Sequence, residues 1–432
     1  MPRLLRVAPW LVPLLALLIG VLAPSTHLHP DALDELHRFE LGTPHRTPGH
    51  PLGEPLLVAW VRALAGTGLP VARCVQLWNA GWMAAALAGL VALGRRRGSA
   101  PLLVAAVPGA LASTYAALHL LRDPYLPDWP PALALMSWAA VVSWPVGRAG
   151  LLAGAAVLLP PTLAAAPALA ERRERLVVGV PALVCGVAIA AAWGHPEAGV
   201  ARPATDLLAP LRGLAGAFTA QERGFGALDV LAHPTSPAAW ATAGALALVV
   251  GGGVLGLVRR PAVSTEAKRF LLGAAAVALF LLVWGPDQPR FWLLPLWMLG
   301  MAALVSPARD LGPTLAGLAG LLLVSNGARY LLPTTGTPDP RVTTARALAE
   351  RFGPADLLLF AGGARPHVDY YGGLRTDGLD AAGAGAGCEA LRGLATEVEA
   401  GGGGLYLVLD APTQCVEGAN EKVAGLGVAR VR

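Results

Sequence analysis

The sequence predicts an α-helical polytopic membrane protein with a small C-terminal extracytoplasmic α/β domain, and three observations predict it. The 432-residue chain is 55% hydrophobic and only 14% charged, which is too little polar surface to coat a water-soluble globule of that size. Its apolar residues gather in runs of about 17 to 25, the length that crosses the hydrocarbon layer as a helix. From about residue 333 the pattern changes to short helical and strand-like segments in alternation.

The apolar runs predict spans at residues 7 to 23, 70 to 93, 100 to 121 and 130 to 146. The N-terminal run has the charged start and apolar middle of a signal peptide, but "LAPST" is a poor cleavage site, so it reads as an uncleaved first span. The stretch "LLAGAAVLLPPTLAAAPALAERRER" is too long for one helix, and Pro160 and Pro161 interrupt it, so a short re-entrant pair is expected there. Later spans are expected near 176 to 194, 239 to 258, 270 to 285, 291 to 305 and 311 to 332, about ten or eleven membrane segments in all.

This path puts Arg3, Arg6, Arg95 to Arg97, Arg148, Arg172, Arg173, Arg175, Arg259, Arg260, Lys268, Arg269 and Arg309 on one face. The positive-inside rule makes that face cytoplasmic, with the N-terminus on it. The other side receives the loop at about residues 24 to 68, the turn "RDPYLPDWPP", the loop 195 to 238, the turn "GPDQPR" and the tail. Within the first loop, "PLGEPLLVAWVRALAGTG" is too short to span and reads as an interfacial amphipathic helix. Two domains are expected: residues 1–332 in the membrane and 333–432 outside it.

The net charge of +5 does not indicate a nucleic-acid partner, because the basic residues sit in short clusters where helices meet an anionic leaflet. Lysine occurs only at Lys268 and Lys422, while Arg, Ala, Gly, Leu and Pro abound, a codon bias of GC-rich bacterial genomes. A multi-pass protein of a bacterial cytoplasmic (inner) membrane is the expectation. Cys74 and Cys185 fall in apolar spans, and Cys388 and Cys415 fall in the tail, where a disulfide is permitted.

In the tail, "TTARALAERFG" and "CEALRGLATEVEA" have helical periodicity, and "ADLLLFAGG" and "GGLYLVLDAP" read as strands. Gly383, Gly385 and Gly387 miss the G-x-G-x-x-G spacing, so no dinucleotide site is expected. "ARPHVDYYGG" follows a strand, a place where α/β folds bind ligands, and is an acceptor-side candidate.

The first outer loop is the unusual feature. Residues 27 to 50 hold five of the nine histidines (His27, His29, His37, His45, His50) together with Asp31, Asp34, Glu35 and Glu40. Ionisable groups are costly near lipid and mark function. The acids Asp31, Asp34 and Glu35 are followed by Leu41, Gly42, His45, Pro48, Gly49, Pro51 and Leu52, and then by Arg73 with Gln76 on the next span. This order resembles the first-loop signature of GT-C membrane glycosyltransferases, especially a bacterial branch related to protein O-mannosyltransferases, although Gln76 stands where that pattern has Asn. "DQPRFWLLPLW" looks like a later element of the same family.

The resemblance implies transfer of a sugar from a polyprenyl-phosphate carrier to an acceptor hydroxyl outside the membrane. It makes Asp31, Asp34 or Glu35 the base that accepts the hydroxyl's proton in an inverting displacement. By position alone, Asp34 and Glu35 equally suit the start of an interfacial helix. Arg290 is the candidate for gripping the lipid phosphate, since a guanidinium presents a rigid fork to phosphate oxygens, and its plainer reading is a snorkelling anchor. Arg122 and Asp123 occupy another outer turn, and His45 is a hydrogen-bonding candidate near sugar or phosphate. No cofactor is expected beyond the lipid-linked donor, which is a substrate. The histidines lack H-E-x-x-H spacing, so a divalent metal such as zinc is not the preferred reading.

The expected partners are the polyprenyl-phosphate sugar, membrane lipid and an acceptor that is protein, lipid or glycan. Two other classes fit the composition. One is a lipid or small-molecule transporter, which more often shows matching internal repeats, and none is visible here. The other is a non-catalytic assembly partner that keeps the fold.

Overall fold

The computed structural model describes residues 7–29, 32–33, 36, 53–169, 209–220, 235–259, 264–284, 288–306, 311–360, 365–378, 388–409, 421–423 and 426–431. The chain forms two units, residues 1–25 with 45–335, and residues 26–44 with 336–432. The start of the first outer loop therefore packs with the C-terminal unit, not with the helical unit to which the sequence pattern assigns it. The division near the tail falls between Thr335 and Gly336.

The first unit is helical. A 3-10 turn (Ala8–Trp10) leads into α1 (Leu11–Leu22), and α2 (Gly53–Ala65) precedes the long α3 (Val71–Arg96). Trp60 Nε1 donates to the Cys74 carbonyl at 2.8 Å, which pins α2 to the first turn of α3. Gly20 lets α1 approach α3 closely, since a Cβ there would sit 2.5 Å from that of Ala80.

The span expected at 100 to 121 is broken into α4 (Pro101–Ala112) and α5 (Tyr115–Arg122), bent by 68°. The cause is local. Thr114 leaves helical geometry with ψ 148°, and its hydroxyl accepts from Ala117 N, capping a new helix. The run at 130 to 146 likewise ends early: α6 (Trp129–Val141) stops and Pro145 opens α7 (Pro145–Leu158). Pro160 and Pro161 then start a 3-10 turn (Pro160–Ala165) that leads into the short α8 (Ala166–Leu169). Ala140, Arg148 and Leu169 line one cavity with Arg97, Glu266 and Arg269, so the chain returns to the end from which α7 departed. Arg97 pairs there with Glu266 at 2.5 Å.

The unit continues with α9 (Ala209–Phe218), α10 (Pro237–Arg259) and α11 (Thr265–Trp284). A 3-10 turn (Pro289–Trp292) opens α12 (Leu293–Val305), and α13 (Leu311–Asn326) ends in a π-turn, Gly327–Leu331. Buried polar ties lock these helices. Asn326 Nδ2 donates to the carbonyls of Ser113 (2.7 Å) and Phe218 (2.8 Å), while Trp297 Nε1 donates to Ser137 Oγ at 2.8 Å. Such hydrogen bonds fix helix register where apolar packing alone is indifferent.

Among the described residues, two helices, Val71–Arg96 and Leu311–Leu331, are long and apolar enough to cross a membrane, or three if the bent pair counts as one span. Other apolar helices, including Ala8–Leu22, Pro145–Leu158 and Pro289–Val305, are shorter. Among the described residues, two or three of the about ten or eleven expected membrane segments are thus full-length apolar helices, because proline starts and caps divide runs that composition alone treats as continuous. The span expected at 176 to 194 lies outside the described residues.

In the second unit, Asp339 caps α14 (Pro340–Arg351), which is followed by β1 (Leu357–Phe360), α15 (Arg365–Gly372), β2 (Arg375–Gly378), α16 (Cys388–Ala400), β3 (Leu405–Leu409), β4 (Glu421–Val423) and β5 (Leu426–Arg430). The sheet order is β2-β1-β3-β5-β4; β1 runs parallel to β2 and β3, while β5 is antiparallel to β3 and β4. Alternation sorts the side chains. Leu358, Phe360 and Val408 face Leu348 and Val368, while Leu357, Leu359 and Leu407 face Leu391 and Val398 of α16. Gly403 must be glycine, since a Cβ there would fall 1.9 Å from the Ala355 carbonyl oxygen. The expected helix–strand pattern is present. However, residues 365 to 372 form a helix, and the short strands β2, β4 and β5 carried no alternation to announce them.

Candidate functional site

Three elements of the helical unit deliver polar side chains to one end of it. On α3, Arg73, Gln76 and Asn79 recur every three residues and so share a face. Arg73 donates to the carbonyls of Gly20 and Val21 at the end of α1, and Gln76 Nε2 donates to that of Ser25 at 3.0 Å. Asn79 Nδ2 reaches the carbonyls of Asp123 (3.0 Å) and Tyr125 (3.2 Å). The chain entering the first loop and the turn after α5 are therefore both held by α3.

Around that turn lies a buried aromatic and charged cluster. Arg122 is fully buried and donates to the carbonyls of Ala23 and Pro24 and to the hydroxyls of Thr334 and Thr335. Its guanidinium also covers the Tyr330 ring at 5.0 Å. Asp123 is 1% exposed, with His119 Nε2 3.7 Å from its carboxylate. The His119 ring stacks on Tyr330 and meets Tyr115 and Tyr125 edge-on. Arg290, 8% exposed at the start of α12, lies 4.1 Å over the Tyr125 ring, and its Nη2 donates to Gln288 Oε1 at 3.1 Å. Its Nε has no hydrogen-bond partner among the described residues.

Of the residues that the sequence singles out, Arg122, Asp123 and Arg290 thus come together through aromatic rings. Asp31, Asp34, Glu35 and His45 lie outside the described residues. Tyr115, His119, Tyr125 and Tyr330 were missed. The first two were available as an i, i+4 series ending at Asp123, but nothing in the sequence links Tyr330 to them. No group of three or more His, Cys, Asp or Glu able to hold a metal occurs among the described residues.

The helical unit also holds an apolar cavity of about 240 Å³. Its walls come from α4, α10, α12 and α13, with Leu111, Leu248, Gly252, Leu296 and Leu318 among them, and Thr114 and Phe218 also line it. Such a slot suits an alkyl or prenyl chain and offers almost nothing to a polar ligand.

The second unit has its own buried polar group. Asp339 accepts from Arg341 Nε (3.0 Å), Nη2 (2.8 Å) and backbone N (2.9 Å), and lies 3.6 Å from His367 Nε2. Burial pushes the Asp339 carboxyl upward, but the hydrogen bonds from His367 and Arg341, with the Arg341 charge, outweigh it and hold the group well below the usual carboxylate range. A depressed value in the folded state means that the stabilisation is complete above the unfolded carboxylate value near ~3.9 and is lost as pH falls through the folded value. Protection of the amides in residues 336 to 378, corrected for the intrinsic exchange rate, is therefore expected to fall below about pH 4, and Asp339→Asn should flatten that dependence. An identical acid response in the two proteins would contradict it.

No family model matches the chain, and no curated protein matches it. Two solved structures do. ArnT from Cupriavidus metallidurans bound to undecaprenyl phosphate superposes with a TM-score of 0.56 at 13% identity, covering 97% of this chain and 96% of that one. The apo state of the same protein gives 0.57 at 14%, with the same coverage. The chain is thus similar in fold to ArnT over nearly its whole length.

Proposed function

We propose that this chain is a GT-C-type membrane glycosyltransferase that moves a sugar from a polyprenyl-phosphate carrier to an acceptor hydroxyl on the extracytoplasmic side of a bacterial cytoplasmic membrane. The observation that carries the reading is the end-to-end fold similarity to ArnT, one structure of which is bound to undecaprenyl phosphate. An apolar cavity in the helical unit supports it, because the chain of a prenyl phosphate needs a dry slot. With four donor contacts from Arg122 directed to the protein itself, Arg290 is the better phosphate ligand of the two.

In this mechanism a first-loop carboxylate, Asp31, Asp34 or Glu35, takes the acceptor's proton as its oxygen attacks the anomeric carbon. The bond to the phosphate oxygen breaks on the opposite face, so configuration inverts. Phosphate leaves as an anion, and Arg290 stabilises the charge that develops on it. The finer placement near protein O-mannosyltransferases rests on the first-loop motif alone.

The test is transfer by the purified full chain in liposomes supplied with a panel of undecaprenyl-phosphate-linked labelled sugars. Wild type is expected to transfer at least one of them. Gly252→Leu, which adds a side chain at the cavity wall facing Thr314, is expected to raise the KM for the lipid donor about tenfold, equivalent to ~1.4 kcal/mol of lost binding. A folded wild type that flips labelled lipid across the bilayer without transferring sugar would replace this reading with that of a transporter.

A further inference from the structure

The backbone carbonyl of Leu28 opens the loop that bears Asp31, Asp34 and Glu35, and it is met by two side chains from more than 300 residues away. His367 Nε2 lies 3.3 Å from this oxygen, and Arg341 Nη2 donates to it at 3.3 Å. A carbonyl only accepts, so Nε2 of His367 carries the proton here. Both donors are oriented by one carboxylate: Asp339 holds Arg341 through two nitrogens and stands beside His367 Nε2. His367 is fully buried and Asp339 is 2% exposed, so water does not substitute for the contact that His367 makes. One strand of the loop is tied as well, since Thr26 Oγ1 donates to the Thr337 carbonyl at 2.7 Å.

Immediately beyond the clamp the chain turns. The amides of Ala32 and Leu33 both donate to the His29 carbonyl, at 3.0 and 3.2 Å, and Ala32, Leu33 and Leu36 are buried. A polar, oriented grip on one loop carbonyl, with His367 and Asp339 buried, fixes where the following turn begins, which apolar burial by itself does not do.

We infer that Asp339, His367 and Arg341 are positioning residues: they clamp Leu28 and so set the start of the acid-bearing turn of the first loop. The kinetic consequence rests on the functional reading above, in which one of those acids is the base; the clamp does not. The C-terminal unit is then a part of the transferase machinery that holds the loop in register.

The experiment compares wild type with His367→Leu and His367→Gln, all as full-length protein in liposomes. Gln keeps a nitrogen donor near the place of Nε2 and Leu does not. Amide exchange at Ala32 and Leu33 is expected to be at least about tenfold faster in His367→Leu, a local opening made easier by one lost buried donor. Transfer kcat should fall about tenfold with the donor KM within twofold, the mark of lost positioning rather than lost binding. His367→Gln should restore both to within about threefold of wild type. Unchanged exchange in His367→Leu overturns the clamp. Faster exchange with unchanged kcat overturns the positioning role, and equal damage by Leu and Gln reduces His367 to bulk packing. A wild type that transfers no sugar overturns the functional reading and its kinetic arm, while the exchange arm by itself still upholds or overturns the clamp.

Discussion

Arg122→Leu is expected to cost on the order of 3–5 kcal/mol of stability, enough to prevent recovery of monodisperse protein. The guanidinium is wholly buried and satisfies two carbonyls at the end of α1 and two hydroxyls just beyond the π-turn. Leucine fills the volume but leaves the buried Thr334 hydroxyl and the half-buried Ala23 and Pro24 carbonyls without their donor, and a buried group so stranded costs about 1–3 kcal/mol. Arg122→Lys should fall between, because an ammonium cannot spread to four acceptors held in a fixed fork. Thermal unfolding followed by size-exclusion in detergent checks this. A Leu variant within about 2 °C of wild type would show that the fork holds nothing together.

The second large effect concerns the first-loop acids. Of Asp31→Asn, Asp34→Asn and Glu35→Gln, one is expected to lower transfer by about 10²–10⁴-fold while the protein stays monodisperse, as loss of a general base does. The other two should stay within about tenfold, because a neighbouring carboxylate alters the local potential without taking the proton. The readout is initial rate at saturating lipid donor, with the pH profile of the weakest variant compared with that of wild type. Three variants of equal activity would remove the base from this loop.

Much of the architecture was legible in the sequence because hydrophobic periodicity records burial directly. The α3 span, the proline break at Pro160 and the four principal elements of the tail all follow from it. The bend between α4 and α5 was not legible, since it turns on a threonine hydroxyl that caps the second helix within an unbroken apolar run. β4 was hidden because it is three residues long, and β5 because Gly427 interrupts its apolar pattern. For the site, Arg122, Asp123 and Arg290 announced themselves as charges bordering lipid-like segments. Tyr330 did not, because one ring among aromatics gains its meaning only from residues distant in the chain, and His367 stood out only as part of an acceptor-side stretch, not as a partner of Leu28. The assignment of residues 26 to 44 failed for the same reason. Nearness in sequence argued for one unit, and hydrogen bonds spanning 311 to 339 residues decided for the other.

Those separations also set a schedule for biosynthesis. Leu28 leaves the ribosome before more than 300 further residues have been made, among them both Arg341 and His367. At about 5–20 residues per second that interval is roughly 15–60 s, during which the loop's partner does not yet exist. The helical unit must therefore insert while a nearby segment waits unclaimed, and the last hundred residues close the molecule. A nascent chain arrested before that point would hold its helices and expose its acids untethered, a natural substrate for quality-control proteases.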